Sequence, residues 1–223
     1  QRLYHLLQSA SRPPRHTDGL RRGEKGGKVL LTIHFVKAEL MLAFLRDSND
    51  SQSVLDILIA HLELRPDIFM SIIPLVLTDN GSEFSNPKAI EYDRQGNLRT
   101  RIFYCNASSP GQKGSARRIM NSYAMSSPKE LPLIASTQED VSLLMDHINS
   151  YSRESLGNKC PCEMFEFLYG TDILHALGCH RIPPNEVNLT PSLLKRQEKN
   201  IKKPGFGTAI PGFPTKQTLR LSF

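Results

Sequence analysis

An acidic residue that could take part in catalysis, Asp79, lies in the heptapeptide TDNGSEF at positions 78–84, which also contains Glu83. The residues before it, 72–78, have the apolar composition of a buried strand, and the Asp-Asn-Gly sequence is a turn signal. In an open α/β sheet, an aspartate at the carboxyl end of a buried strand is a usual place for a catalytic or metal-binding carboxylate. Asp-Asn-Gly is also a common structural turn, so this heptapeptide alone leaves both interpretations open.

The four cysteines do not indicate a second reactive centre. Cys160 and Cys162 form a Cys-x-Cys pair without a second pair at a zinc-binding spacing, and Cys105 and Cys179 stand alone. Structural zinc sites have four ligands, which in cysteine-rich sites usually come from two such pairs. We therefore expect these residues to pack in the core.

The elements around Asp79 predict an α/β layer with mixed strand directions. Apolar runs predict strands at 28–35, 40–46, 72–78 and 101–105. Apolar stripes at helical spacing predict helices at 53–64, 138–151, 162–168 and 171–177, and a short helix that opens at Asn86 and Pro87. Thr137 should cap the helix at 138–151. Residues 1–27 show no clear periodicity, and the lysine-rich, Pro- and Gly-containing sequence after 195 predicts an unfolded tail.

Composition and charge favour a basic protein of one domain. The chain has 223 residues and a formal net charge of +6, and its pI is about 9.2. This charge fits a nucleic-acid partner, although charge alone favours a basic soluble protein without such a partner. Arg101 and Lys113 are candidate phosphate contacts. The sequence contains no signal-peptide pattern and no apolar run long enough to span a bilayer, so we expect a cytoplasmic protein without a membrane partner.

Several separated segments match the pattern of one family. They are residues 30–39 (LLTIHFVKAE), 78–87 (TDNGSEFSNP), 103–107 (FYCNA) and 112–115 (QKGS), with further agreement at 137–140, 147–151 and 165–170. Together these segments resemble the integrase catalytic core of bacterial insertion-sequence transposases of the IS-thirty family. Each segment is weak alone, but the combination is specific and covers roughly residues 23–195.

The resemblance implies an RNase-H-like fold, a mixed sheet flanked by helices, at residues 23–195. Residues 1–22 would be an out-of-family, disordered segment, and 196–223 a basic, disordered tail. Such transposases cleave DNA and transfer strands with two Asp and one Glu that hold two Mg²⁺ or Mn²⁺ ions, which activate the attacking oxygen and stabilise the leaving oxygen. The implied partners are DNA, as transposon ends and target, and further copies of the chain. Asp79 matches the second acid, and the surrounding motif residues are Asn80, Gly81, Glu83, Gln112, Lys113 and Gly114.

The chain departs from the family at the third acid. After Gly114-Ser115 the family pattern continues Cys-Glu-x-Asn-His-Glu-Phe-Ile, whereas this chain reads ARRIMNSY, which places Arg117 in the glutamate position. A cation there would repel the metal ions. One choice of codons for the family-like string CEKNHEFIRHVLPKG, read one base out of frame, gives ARRIMNSYAMSSPK, which is the sequence of residues 116–129. We infer a frame-shifted segment at about 116–133, with genuine divergence as the alternative.

The first acid shows the same kind of departure. The family has Met-Asp-Thr/Ser-Val-Glu-Gly immediately before Lys-Gly-Gly-Lys, and codons for residues 16–22 can be re-phased by one base to read Thr-Gln-Met-Asp-Ser-Val. The family aspartate would then be lost into Gly19 and Leu20. Asp18 is a weak candidate metal ligand that lies near the expected position by coincidence.

Three functional hypotheses follow from these residues. The first is a transposase with an Asp-Asp-Glu type site that is inactive in this copy because it lacks the third acid and the first. The second is a non-catalytic remnant that binds DNA or interferes with an intact transposase. The third is an inert product of a decaying gene. Among other side chains, we expect His34, Tyr151 and Phe165 to be packed in the core, with Tyr151 and Phe165 not acting as platforms for base stacking.

Overall fold

A computed structural model describes residues 5–10, 28–62, 71–78, 80–105 and 137–194. Its centre is a five-stranded sheet formed by β1 (His5–Ala10), β2 (Val29–Phe35), β3 (Leu40–Arg46), β4 (Leu75–Thr78) and β5 (Arg101–Tyr104). The spatial order is β3-β2-β1-β4-β5. Strand β2 is antiparallel to β1 and β3, whereas β4 is parallel to β1 and β5.

Helices cover both faces of this sheet. They are α1 (Ser51–Leu62), α2 (Pro87–Glu91), α3 (Gln138–Asn149), α4 (Pro161–Tyr169) and α5 (Thr171–Ala176), with single 3-10 turns at Ser82–Phe84 and Glu154–Leu156. The predicted mixed α/β class is confirmed.

Alternate residues of β2 lie on opposite faces of the sheet and contribute to two separate cores. Leu31, Ile33 and Phe35 belong to the larger core, which includes α1 and α4 residues, and Leu30 belongs to the core formed with α3. A strand buried on both faces reads as a continuous apolar run, and this is why the sequence predicted β2 and β3 to within one residue. His34 is 1% exposed, so its expected packing within the fold is confirmed.

Strand β1 differs from the expectation for residues 1–22. Those residues were expected to be disordered, but His5–Ala10 forms the middle strand of the sheet. Its backbone pairs with β2 on one side and with β4 on the other. A six-residue segment with only two leucines carries little periodic signal, and its position depends on pairing with strands far along the chain. The remainder of 1–22, and the predicted tail at 196–223, lie outside the described residues.

The amino end of α3 forms as predicted, whereas its carboxyl end does not. The Asp140 backbone N–H donates to Thr137 Oγ1 at 3.2 Å, and the Thr137 N–H donates to Asp140 Oδ2 at 2.9 Å, which makes a capping box. The helix ends at Asn149, two residues before the predicted end. Tyr151 therefore leaves the apolar stripe and is 55% exposed, so its expected core position was wrong, while Phe165 is fully buried as expected.

Candidate functional site

The carboxyl ends of β1, β4 and β5 lie at one edge of the sheet, because these three strands are parallel. Thr78 ends β4, is fully buried, and accepts a 2.7 Å hydrogen bond at its carbonyl from the N–H of Cys105. Asp79, the candidate catalytic and metal-binding residue, follows directly in sequence but lies outside the described residues. The neighbouring groups that are described therefore determine what can be said of this edge.

The central strand supplies no carboxylate to this edge. Strand β1 has the sequence HLLQSA, and its Leu7 is in register with Thr78 of β4. A first acid on the strand beside β4 is thus missing from His5–Ala10. Asp18, the weak candidate for that role, lies outside the described residues.

The segment after Asp79 forms a tightly held turn. Asn80 is exposed, whereas Phe84 is fully buried in the larger core. The Tyr104 hydroxyl donates to the Phe84 carbonyl at 2.7 Å and ties this turn to β5. Asn86 then caps α2 by accepting from the N–H of Ala89 at 3.3 Å. Much of the DNGSEFSNP motif is therefore explained by local structure.

Glu83 points inward, against Gly81. Its side chain is buried, with 6% exposure. A Cβ atom added to Gly81 would lie 2.6 Å from Glu83 Cδ and 2.8 Å from Oε1. Gly81 has an ordinary extended backbone at φ −66° and ψ 149°, so a side chain at this position would be opposed by the Glu83 carboxylate and not by backbone conformation.

Arg46 is the buried cation near Glu83, and sequence reasoning missed it. Burial lowers the pKa of the Arg46 guanidinium, and the charges of Glu83 and Asp50 oppose this shift. Its Nη1 donates to Ser53 Oγ at 3.0 Å and its Nη2 to Asn49 Oδ1 at 2.9 Å. The sequence signal for this cation was that Arg46 is the only charged residue of the apolar strand LMLAFLR. Glu83 is thus a buried carboxylate within electrostatic range of the Arg46 guanidinium.

The remaining motif residues do not assemble a site in the described part of the chain. Gln112, Lys113, Gly114 and the degenerate third-acid position Arg117 lie outside the described residues. Arg101 is exposed but begins β5, where it pairs with Leu75 at the amino end of β4. It therefore lies at the opposite edge of the sheet from Thr78.

No group of three or more His, Cys, Asp or Glu side chains that could hold a metal ion occurs among the described residues. All four cysteines are free and buried. The pKa of Cys160 is lowered to about 7, first by a hydrogen bond with Cys162 and also by the Glu163 backbone, whereas the pKa of Cys162 is raised by the same thiol pair and by burial. Burial of both thiols limits any reaction with solutes.

No protein-family model matches the chain, and no curated protein sequence matches it. Across the described ranges, none of the helices combines the length and apolar character needed to cross a bilayer.

Proposed function

We propose that this chain is a degenerate copy of an IS-thirty-type transposase catalytic core, with an RNase-H-like fold, that does not cleave DNA. The observation that carries the proposal is the sheet: five strands in the order β3-β2-β1-β4-β5, with only β2 antiparallel to the rest. RNase-H-like domains are built on that arrangement. The TDNGSEF motif, which suggested the resemblance, directly follows β4 in the sequence.

The loss of activity follows from the acids. Two-metal cleavage of DNA requires carboxylates from separate elements to surround both ions. Strand β1 offers none, Arg117 occupies the third position, and Glu83 is packed on Gly81 near a buried cation. The described residues do not fit a pair of Mg²⁺ or Mn²⁺ ions, so no catalytic step is assigned to them.

The test is nicking of supercoiled plasmid by the purified full chain, with Mg²⁺ or Mn²⁺ and with EDTA. A plasmid needs no knowledge of transposon ends. We expect the same amount of nicked circle with and without protein, from a chain whose circular dichroism melts cooperatively. Metal-dependent nicking that the Asp79→Ala variant lacks would show a working site and refute the loss of activity.

A second candidate function is a DNA-binding remnant, favoured by net charge and by exposed basic residues on one segment. Lys88, Arg94 and Arg101 are all exposed between α2 and β5. Phosphate contacts by such residues release counterions, so affinity for any duplex would fall steeply as salt rises. For this function we expect the chain to bind unrelated duplexes with equal affinity. In a variant that replaces these three residues by Gln, the affinity should depend less steeply on salt concentration.

A further inference from the structure

Strand β3 forms one end of the sheet, so its outer row of peptide groups faces away from β2. The strand is seven residues long and nearly all of it is buried. A long apolar edge strand with unpaired N–H and C=O groups is a template for pairing with another chain. The groups that cover this edge therefore determine whether the chain remains separate from its copies.

Asn149, the last residue of α3, pairs with one residue of this edge at two points. The Met41 N–H donates to Asn149 Oδ1 at 3.0 Å, and Asn149 Nδ2 donates to the Met41 carbonyl at 2.8 Å. Asn149 is fully buried. Its side-chain amide thus satisfies both outward groups of Met41, as the backbone of a neighbouring strand would.

Gln138, the first residue of α3, makes the matching contact further along β3. The Leu45 N–H donates to Gln138 Oε1 at 2.8 Å, and Gln138 Nε2 donates to the Ala43 carbonyl at 3.0 Å. Eleven residues separate Gln138 from Asn149, which is about three helical turns, so both amides project from one face of α3. The helix rises roughly 16 Å between these two residues, and the strand extends approximately 13 Å from Met41 to Leu45, so the two side chains can reach both ends of the strand.

We propose that Gln138 and Asn149 act as a substitute strand that seals the β3 edge against pairing with a second copy of this chain. This inference does not depend on the proposed function. Apolar contacts of Val141, Leu144 and Ile148 hold α3 against this part of the sheet. The two amides add what apolar contacts cannot, namely partners for four outward peptide groups of β3: the Met41 N–H and carbonyl, the Leu45 N–H and the Ala43 carbonyl.

The test uses Gln138→Met and Asn149→Leu, which keep side-chain volume and remove the amides. Amide hydrogen exchange in the full chain is measured by NMR at Met41 and Leu45. We expect exchange at Met41 to accelerate on the order of tenfold in Asn149→Leu, with Leu45 unchanged, and the reverse in Gln138→Met. Gln52→Met, at an exposed glutamine of α1 that bonds only locally with Asp56, is the matched control and should change neither amide.

Self-association is measured by sedimentation velocity over a range of concentrations, with the double variant and the parent chain side by side. We expect the double variant to form larger species as concentration rises, and the parent to form fewer at each concentration. Unchanged exchange at Met41 and Leu45 in the single variants, or a double variant that sediments as the parent does, would overturn the proposal. The single variants keep the test decisive if the double variant does not fold.

Discussion

The loop after β4 is held by residues whose contacts are structural. Glu83 lies against Gly81, Tyr104 holds the Phe84 carbonyl, and Asn86 caps α2. A motif read from sequence as part of a catalytic centre can therefore remain intact because the fold needs it. Its presence in this chain is compatible with a lost activity.

Replacing Gly81 by Ala tests the close approach of Glu83. The added Cβ would displace the buried carboxylate, and we expect a loss of roughly 1–3 kcal/mol in the free energy of unfolding, measured by urea denaturation. In a Glu83→Ala background the same change should cost much less, because the overlapping atoms are gone. Ser82→Ala, at the exposed neighbour, is the control. Equal costs of Gly81→Ala in both backgrounds would contradict this account.

Tyr169 carries a buried hydroxyl with no hydrogen-bond partner among the described residues. Its ring packs on Phe165 with centroids 4.7 Å apart and on Phe35 at 6.5 Å, so the ring has a role in the core that the hydroxyl lacks. We expect Tyr169→Phe to raise the free energy of unfolding by about 1 kcal/mol, because an unpaired buried polar group is removed. Tyr151→Phe, at an exposed ring, should change it little. A destabilised Tyr169→Phe variant would show that the hydroxyl has a partner.

At the scale of elements, the sequence predicted the strand bounds and helix starts that local residue patterns determine. Strand β3 was predicted at its observed bounds, and the start of α3 followed from the Thr137 cap. Strand β1 was missed because its pairing partners, not its own residues, select it. The contact of Asn149 with Met41 joins residues 108 apart in sequence, and no periodicity reports such a contact. At the candidate site, sequence reasoning missed the buried Arg46, because its approach to Glu83 depends on packing between separate elements.

The segment after α5 is fastened to α3 by a titratable contact. The Asn188 N–H donates to His147 Nδ1 at 3.1 Å, so this nitrogen must be unprotonated. Burial lowers the pKa of His147 below its ordinary 6.5, and the charge of Glu186 opposes the shift. Around that pH the unfolded chain therefore binds more protons than the folded one, and stability must fall as the pH falls.

We expect the urea midpoint of the parent chain to drop more between about pH 7.5 and 5.5 than that of His147→Gln, which keeps an acceptor that does not titrate. Burial raises the pKa of the neighbouring Asp146, which contributes with the opposite sign but is present in both proteins. His175→Ala, at an exposed histidine of α5, serves as the control. Parallel pH profiles for the parent and His147→Gln would contradict the assignment.

At the scale of the whole molecule, the fold and the chemistry depend on different sets of residues. The sheet depends on backbone ladders and apolar faces contributed by many residues. Metal-dependent cleavage depends on a few side chains whose positions allow no substitute. The frame-shifted copy proposed above would thus keep its sheet arrangement and lose its reaction, and its resemblance to the family would survive outside the altered segments.

Restoring both altered segments should restore the reaction. In one gene, the codons for 116–129 are re-phased to encode the family-like string with Glu in place of Arg117, and those for 16–22 are re-phased to encode Thr-Gln-Met-Asp-Ser-Val. We expect metal-dependent plasmid nicking on the order of a hundredfold or more above the parent chain, because three acids would then be present. Either restoration alone should remain at background, and Asp79→Ala in the doubly restored chain should abolish the gain. A doubly restored chain that melts cooperatively yet leaves the plasmid intact would argue against a transposase origin.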